Sequence, residues 1–148
     1  MRKSAFLLLI WSSFMMLPTL LTAQHTSTPF EEITIPAGKA VVYIYRVSTY
    51  AVAIHYRVNA NDRPVMNTHL YIDSYMVYLA DPGKVELWAE MGKHHESLTV
   101  DAEAGKSYFV EGSVVSDAWT SMPHFTLVPE EKALKKIRKC RLLVETGH

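Results

Sequence analysis

The stretch YIDSYMVYLADPGKVELW, from Tyr71 to Trp88, decides how the chain is interpreted. Two runs of alternating residues flank the segment 80–84, whose Pro-Gly pair is typical of a tight reversal of the chain. The stretch therefore predicts a β-hairpin. Because side chains alternate between the two faces of a strand, one face of the hairpin would carry the core residues. These are Tyr75, Val77, Leu79, Val85, Leu87 and Ala89.

The opposite face of this hairpin carries Met76 and Tyr78 on one arm and Trp88, between Glu86 and Glu90, on the other. Exposed aromatic patches on small domains often mark a binding surface. Met76, Tyr78 and Trp88 are therefore the predicted binding residues, with a sugar, a peptide or another subunit as ligand. The alternative is that a second sheet or the C-terminal helix covers the patch, since a buried tryptophan is ordinary packing in a β-sandwich.

Residues 1–23 have the layout of a secretory signal peptide. Arg2 and Lys3 precede a mostly apolar run, which ends at Ala23 with the small residue that signal peptidase requires. The alternative is an uncleaved membrane anchor, because the run is nearly long enough to span a bilayer. Pro18, the small polar residues and the cleavage-like end favour removal. We therefore predict a secreted protein, periplasmic or extracellular, with no stable membrane span after cleavage.

The rest of the chain has the length of one ordinary domain. We predict a flexible lead-in over 24–32 and a single domain over 33–148. The mature chain would hold 13 basic residues against 15 acidic ones, which gives no electrostatic reason to expect nucleic acid as a partner. Cys140 is the only cysteine, so no intramolecular disulfide can form.

Turn residues recur about every 8–12 residues between strand-like runs, which is the spacing of a β-sandwich or barrel. Ala40 to Arg46 and Ser107 to Val115 are the strongest candidates for buried strands, and Pro64 places the run around it at a sheet edge. Pro129, followed first by acidic and then by basic residues, predicts one short helix. These patterns predict an all-β, antiparallel β-sandwich of about seven to eight strands with a short C-terminal helix.

Four segments in this order resemble a family of secreted bacterial domains known as domain of unknown function 2846. They are PAGKAVVYIYR at 36–46, PGK at 82–84, AEAGKSYFV at 102–110 and KCRL at 139–142. Ser74 and Asn61-Asp62 stand where that family tends to carry a glycine and an Asn-Gly turn. The resemblance implies a compact, immunoglobulin-like β fold in the cell envelope or outside the cell, and it implies no activity or catalytic residue.

The sequence lacks the common motifs of catalysis and metal binding. It contains no Gly-x-Ser-x-Gly elbow, phosphate-binding glycine loop, His-Glu-x-x-His helix or cysteine pair. Lys139 and Arg141 flank Cys140 and could lower its pKa, but its place on the apolar stripe of the terminal helix favours a buried structural thiol. We therefore predict no catalytic residue, no metal and no cofactor.

The predicted function is a non-catalytic binding or assembly module of the bacterial cell envelope, with a protein or a glycan as partner. The alternative is a small envelope enzyme or metal-binding protein that uses surface histidines, namely His55, His94, His95 or His124. Solvated loop histidines are the simpler interpretation, because adjacent histidines such as His94 and His95 point in different directions.

Overall fold

The computed structural model describes residues 29–89, 91 and 96–144. The predicted signal peptide, the first part of the predicted lead-in, and His94 and His95 lie outside the described residues. Over the described residues the chain forms nine strands and one helix. They are β1 (Ala40–Arg46), β2 (Tyr56–Ala60), β3 (Arg63–Leu70), β4 (Ser74–Ala80), β5 (Gly83–Ala89), β6 (Ser97–Ala102), β7 (Ser107–Ser116), β8 (Ser121–Val128), α1 (Glu130–Ile137) and β9 (Arg141–Leu142).

The strands form two sheets that pack face to face. The first sheet has the order β8-β7-β1-β4-β9, and the second has the order β3-β2-β5-β6. Because β1 pairs with β4 in one sheet and β2 pairs with β5 in the other, two interlocked strand pairs hold the sheets together. The immunoglobulin sandwich divides its B–E and C–F pairs between two sheets in the same way. The prediction of an all-β sandwich with one short helix is confirmed.

Two strand pairs differ from the predicted antiparallel arrangement. β7 joins β1 in parallel, and the two-residue strand β9 joins β4 in parallel. The alternation of apolar and polar residues indicates a strand but says nothing of the direction in which its neighbour runs. The residue pattern therefore does not predict the direction of either strand pair. With β9 included, the described residues contain nine strands.

The predicted hairpin between Tyr71 and Trp88 is not formed. β4 pairs with β1 and β9 in the first sheet, whereas β5 pairs with β2 and β6 in the second. The turn at Asp81 and Pro82 therefore carries the chain from one sheet to the other. Gly83 follows with φ 130°, a conformation that side chains rarely adopt. A hairpin and a connection between sheets use the same turn residues, so the sequence did not distinguish them.

The first arm of this stretch faces the other way from the prediction. Met76 and Ala80 lie in the core between the sheets. Tyr75 belongs to a second apolar cluster, on the outer face of the first sheet, and Leu79 is 44% exposed. The second arm was predicted correctly, because three of its residues are buried in the core between the sheets. These are Val85, Leu87 and Ala89.

The helix α1 covers the outer face of the first sheet. Its buried residues Ala133 and Ile137 pack in the second cluster with Tyr43 of β1. Every residue of β1 is therefore buried, as predicted, because the core lies on one side of the strand and the helix on the other. Cys140 lies three residues beyond the end of the helix and is buried in the same cluster. No helix in the described part of the chain is long and apolar enough to cross a bilayer.

Phe30, in the segment predicted as a lead-in, packs in this second cluster. Its ring centroid lies 5.3 Å from those of Tyr43 and Tyr75. The backbone N–H of Ile33 donates to the hydroxyl of Tyr43 at 2.9 Å. These contacts fasten the described end of the lead-in to the first sheet.

Arg46, the last residue of β1, is fully buried. Its Nη1 donates to the carbonyl of Ile54, and its Nη2 donates to the carbonyls of Ala51 at 3.0 Å and Tyr50 at 3.3 Å. Its guanidinium carbon lies 5.5 Å from the centre of the Tyr56 ring. One side chain thus holds the connection between β1 and β2 against the end of the sandwich.

Candidate binding site on the second sheet

The structure separates the three residues predicted to form an aromatic patch. Met76 and Tyr78 lie on β4 in the first sheet, and Trp88 lies on β5 in the second. Met76 is fully buried and Tyr78 packs against the core. The predicted patch of Met76, Tyr78 and Trp88 is therefore not formed, because β4 turns Met76 and Tyr78 toward the core and Trp88 belongs to the other sheet. Trp88 lines a surface groove instead.

This groove is open, has a volume of about 310 Å³ and lies on the outer face of the second sheet. Along β2, the buried residues Tyr56, Val58 and Ala60 alternate with Arg57 and Asn59. The alternation turns these two polar side chains outward. Six of the described residues line the groove, and they come from β2, β3, β5 and the connection before β2. They are His55, Tyr56, Arg57, Asn59, His69 and Trp88.

Strand register places the polar and aromatic residues of the groove side by side. Arg57 is the cross-strand partner of His69 on β3, and Asn59 is the partner of Trp88 on β5. Residues directly opposite each other on one face of a sheet lie close enough to act together on one ligand. A guanidinium, an imidazole, an amide and an indole therefore share one small area.

The indole of Trp88 is held in place by the turn between β2 and β3. Its Nε1 donates to the carbonyl of Asn61 at 2.7 Å. Asn61 has φ 50°, and its backbone N–H donates to the carbonyl of Glu86 at 2.7 Å while its Oδ1 accepts from the N–H of Glu86 at 2.9 Å. The first bond holds the ring and the other two hold Asn61, its acceptor, so the ring is ordered without a ligand, which reduces the entropy lost on binding.

His55, His69 and Tyr71 form a ring cluster at one end of the groove. The His55 ring lies 5.1 Å from His69, nearly perpendicular to it, and 5.1 Å from Tyr71, stacked on it. Burial lowers the pKa of His69 below its usual value of 6.5, and electrostatic repulsion from His55 and Arg57 lowers it further. His69 is therefore mostly neutral at pH 7, with one ring nitrogen that donates and one that accepts a hydrogen bond.

The histidines of the alternative metal hypothesis do not form a ligand set in the described part of the chain. His124 lies on β8, where its Nδ1 is 2.9 Å from both carboxylate oxygens of Glu96. His55 lies with His69 on the outer face of the second sheet. Among the described residues, no group of three His, Cys, Asp or Glu side chains is placed to hold a metal ion.

Cys140 is buried, and its Sγ lies 3.8 Å from the carbonyl oxygen of Arg46. Burial raises the pKa of this thiol to about 12, and the nearby carboxylate of Asp73 adds to the shift. The thiolate is the reactive form of cysteine, so this group is suited to packing rather than to nucleophilic chemistry.

We expect Cys140 in the folded chain to react with iodoacetamide at pH 8 at least about a hundredfold more slowly than a free cysteine of pKa ~8.5. The raised pKa leaves very little thiolate, and the surrounding cluster excludes the reagent. Mass spectrometry of the alkylated chain measures the rate, and the same chain in denaturant is the control. Equal rates in the folded and denatured chain would show that Cys140 is accessible.

Two residues singled out from the sequence, Trp88 and His55, line the groove. The sequence did not group them with Arg57, Asn59 and His69, because that grouping depends on which strands are neighbours and on the irregular register between Arg57 and Asn59. Neither feature has a signal in a single sequence.

Comparison of the chain with protein-family models, with curated proteins and with solved structures finds no match. The resemblance to domain of unknown function 2846 therefore stays a prediction.

Proposed function

We propose that the chain is a secreted, non-catalytic binding module of the bacterial cell envelope. Its site is the groove on the second sheet, and its ligand is a saccharide. The observation that carries this proposal is the indole of Trp88, fixed by its hydrogen bond to Asn61 and placed opposite Asn59 on the same face.

The chemistry of the groove suits a sugar ring. One face of a hexose presents C–H groups, which pack on an aromatic ring such as the indole of Trp88, and its rim presents hydroxyl groups. Asn59, Arg57 and His69 supply both donors and acceptors for those hydroxyls. The volume is at the lower end of the range of ligand sites, roughly 300–1,000 Å³, so the groove would hold a short saccharide segment.

The same lining favours binding over hydrolysis. Most glycoside hydrolases need a pair of carboxyl groups about 5–10 Å apart that flank the bond to be cleaved. None of the six lining residues in the described part of the chain is an aspartate or a glutamate. These described residues can orient a sugar but do not supply the pair of carboxyl groups that such hydrolysis uses.

We expect Trp88→Ala to weaken saccharide binding at least about tenfold, which corresponds to about 1.4 kcal/mol. The substitution removes the surface on which the ring packs. An array of bacterial envelope saccharides identifies the ligand, and calorimetric titration measures its affinity for the purified protein and the variant. Circular dichroism verifies that the variant is folded.

Trp119→Ala is the matched control, because Trp119 is 94% exposed at the tip of the β7–β8 hairpin. It removes an indole of the same size from another surface, and we expect no change in affinity. Failure to detect any saccharide at millimolar concentration, or equal affinities for Trp88→Ala and the unchanged protein, would contradict the proposal.

A further inference from the structure

We infer that the saccharide bound in the groove carries an acidic group, a carboxylate or a phosphate, and that Arg57 receives it. This inference rests on the proposed function, since it concerns the ligand of the same groove. Arg57 is exposed on the outer face of the second sheet and lines the groove beside His55 and His69.

The charge of Arg57 is not neutralised by a carboxylate within the described part of the chain. Ion pairs with N–O distances up to 4.0 Å occur five times among the described residues, and none of them includes Arg57. They are Lys39–Asp81, Lys106–Glu103, His124–Glu96, Lys135–Glu131 and Lys136–Glu111. An outward-facing guanidinium in a groove whose described lining residues include no carboxylate is placed to receive an anion.

The neighbours of Arg57 strengthen this preference. The planar guanidinium donates two parallel hydrogen bonds to a carboxylate or phosphate, which a lysine does not do. His69, directly across the strand pair, can donate one more. The acid within β5 (Gly83–Ala89) is Glu86, which is next to Leu87, the cross-strand partner of Ala60 at the end of β2 away from Arg57. The groove therefore has a basic end at Arg57 and an aromatic side at Trp88.

The spacing between these two groups fits one acidic sugar. Arg57 and Asn59 are two residues apart on β2, a separation of about 7 Å along an extended strand. Asn59 is opposite Trp88. A hexose that packs on the indole would place an acidic group at its C6 within reach of the long Arg57 side chain.

NMR titration of the isotope-labelled protein, purified from cells as they process it, tests the inference. The probes are glucose, glucuronate, galactose, galacturonate, glucose 6-phosphate and inorganic phosphate. Each neutral sugar has the same ring as its acidic counterpart, so the acidic group is the difference. The reporters are the indole N–H of Trp88 and the backbone N–H groups of Arg57 and Asn59, and the indole of Trp119 is the internal control.

We expect at least one acidic sugar to bind about tenfold or more tightly than its neutral counterpart. Arg57→Gln should abolish that difference, so that the acidic and the neutral sugar bind the variant equally tightly. Arg138→Gln makes the same change of charge at the end of α1, and it should preserve the difference. Whether the uronates or glucose 6-phosphate bind more tightly identifies the acidic group as carboxylate or phosphate.

Equal affinities for acidic and neutral sugars, or a preference that persists in Arg57→Gln, would overturn this inference and leave the proposed function intact. Binding of inorganic phosphate as tightly as glucose 6-phosphate, unaffected by Trp88→Ala, would show a site for a free anion and overturn it as well. No shift of the Trp88 indole with any sugar would overturn both proposals.

Discussion

Replacement of Arg46 by methionine is expected to lower the free energy of unfolding by about 2–4 kcal/mol. The fully buried guanidinium donates to three carbonyl groups of the connection between β1 and β2, and the part-buried carbonyls of Ala51 and Ile54 would lose a charged donor. Each bond of this kind contributes about 1.5–3 kcal/mol.

The solvation energy of the guanidinium opposes the loss of stability expected for Arg46→Met. Burial of a guanidinium costs solvation energy, and Nε of Arg46 has no hydrogen-bond partner among the described residues. Apolar replacements of buried charged groups are sometimes stabilising for this reason. We expect the loss of these hydrogen bonds to outweigh the gain in solvation energy, because methionine restores the volume but leaves the carbonyls of one connection without their shared donor.

Equilibrium unfolding in urea measures the effect of Arg46→Met. Arg63→Met is the control, because Arg63 is exposed on the edge strand β3, and we expect it to change stability by no more than about 0.5 kcal/mol. Arg46→Lys should fall between the two, since lysine keeps the charge but loses the forked geometry. An Arg46→Met protein as stable as the unchanged chain would show that other contacts hold the connection.

Gly112→Ala is expected to destabilise the fold by about 3 kcal/mol, through overpacking rather than through backbone strain. A Cβ at this position of β7 would lie 2.6 Å from the hydroxyl oxygen of Tyr56 and 3.0 Å from Cδ2 of Leu70. Both neighbours are buried in the core, so neither can withdraw toward solvent. Urea unfolding again measures the change.

A double-mutant cycle separates this clash from other causes. Tyr56→Phe alone should cost about 1 kcal/mol, because it removes the hydrogen bond from the Tyr56 hydroxyl to the carbonyl of Ser113. It also removes the atom nearest to the added Cβ. Gly112→Ala should therefore cost at least about 1 kcal/mol less in the Tyr56→Phe background. The same cost in both backgrounds would rule out the clash with the hydroxyl.

The elements with the strongest local signals were predictable from sequence. The density of β-branched and aromatic residues in β1 gave its bounds and its burial on both sides, as the structure has them. Pro64 correctly placed β3 at the edge of a sheet, because proline has no N–H to donate to a neighbour. The acidic and basic ends of α1 correctly located the one helix of the described residues.

The orientation of β4 was not predictable, for a physical reason. The sequence SYMVYLA has apolar residues on both faces, because one face packs in the core and the other packs partly in the cluster beneath α1. A strand covered on both sides has no polar face to fix its orientation. Which face of β4 packs in the core and which packs in the cluster depends on where α1 docks. The grouping of the groove residues was also not predictable, because only the strand register places Arg57 beside His69.

The parallel pairing of β1 with β7 affects the time course of folding. β1 lies at the centre of the first sheet, and its second neighbour begins only at Ser107. Pairing between such distant segments slows folding to milliseconds or seconds, and until then one edge of β1 stays open to other chains. For the secreted protein proposed above, which would cross a membrane before it folds, late closure of the central strand would be an advantage.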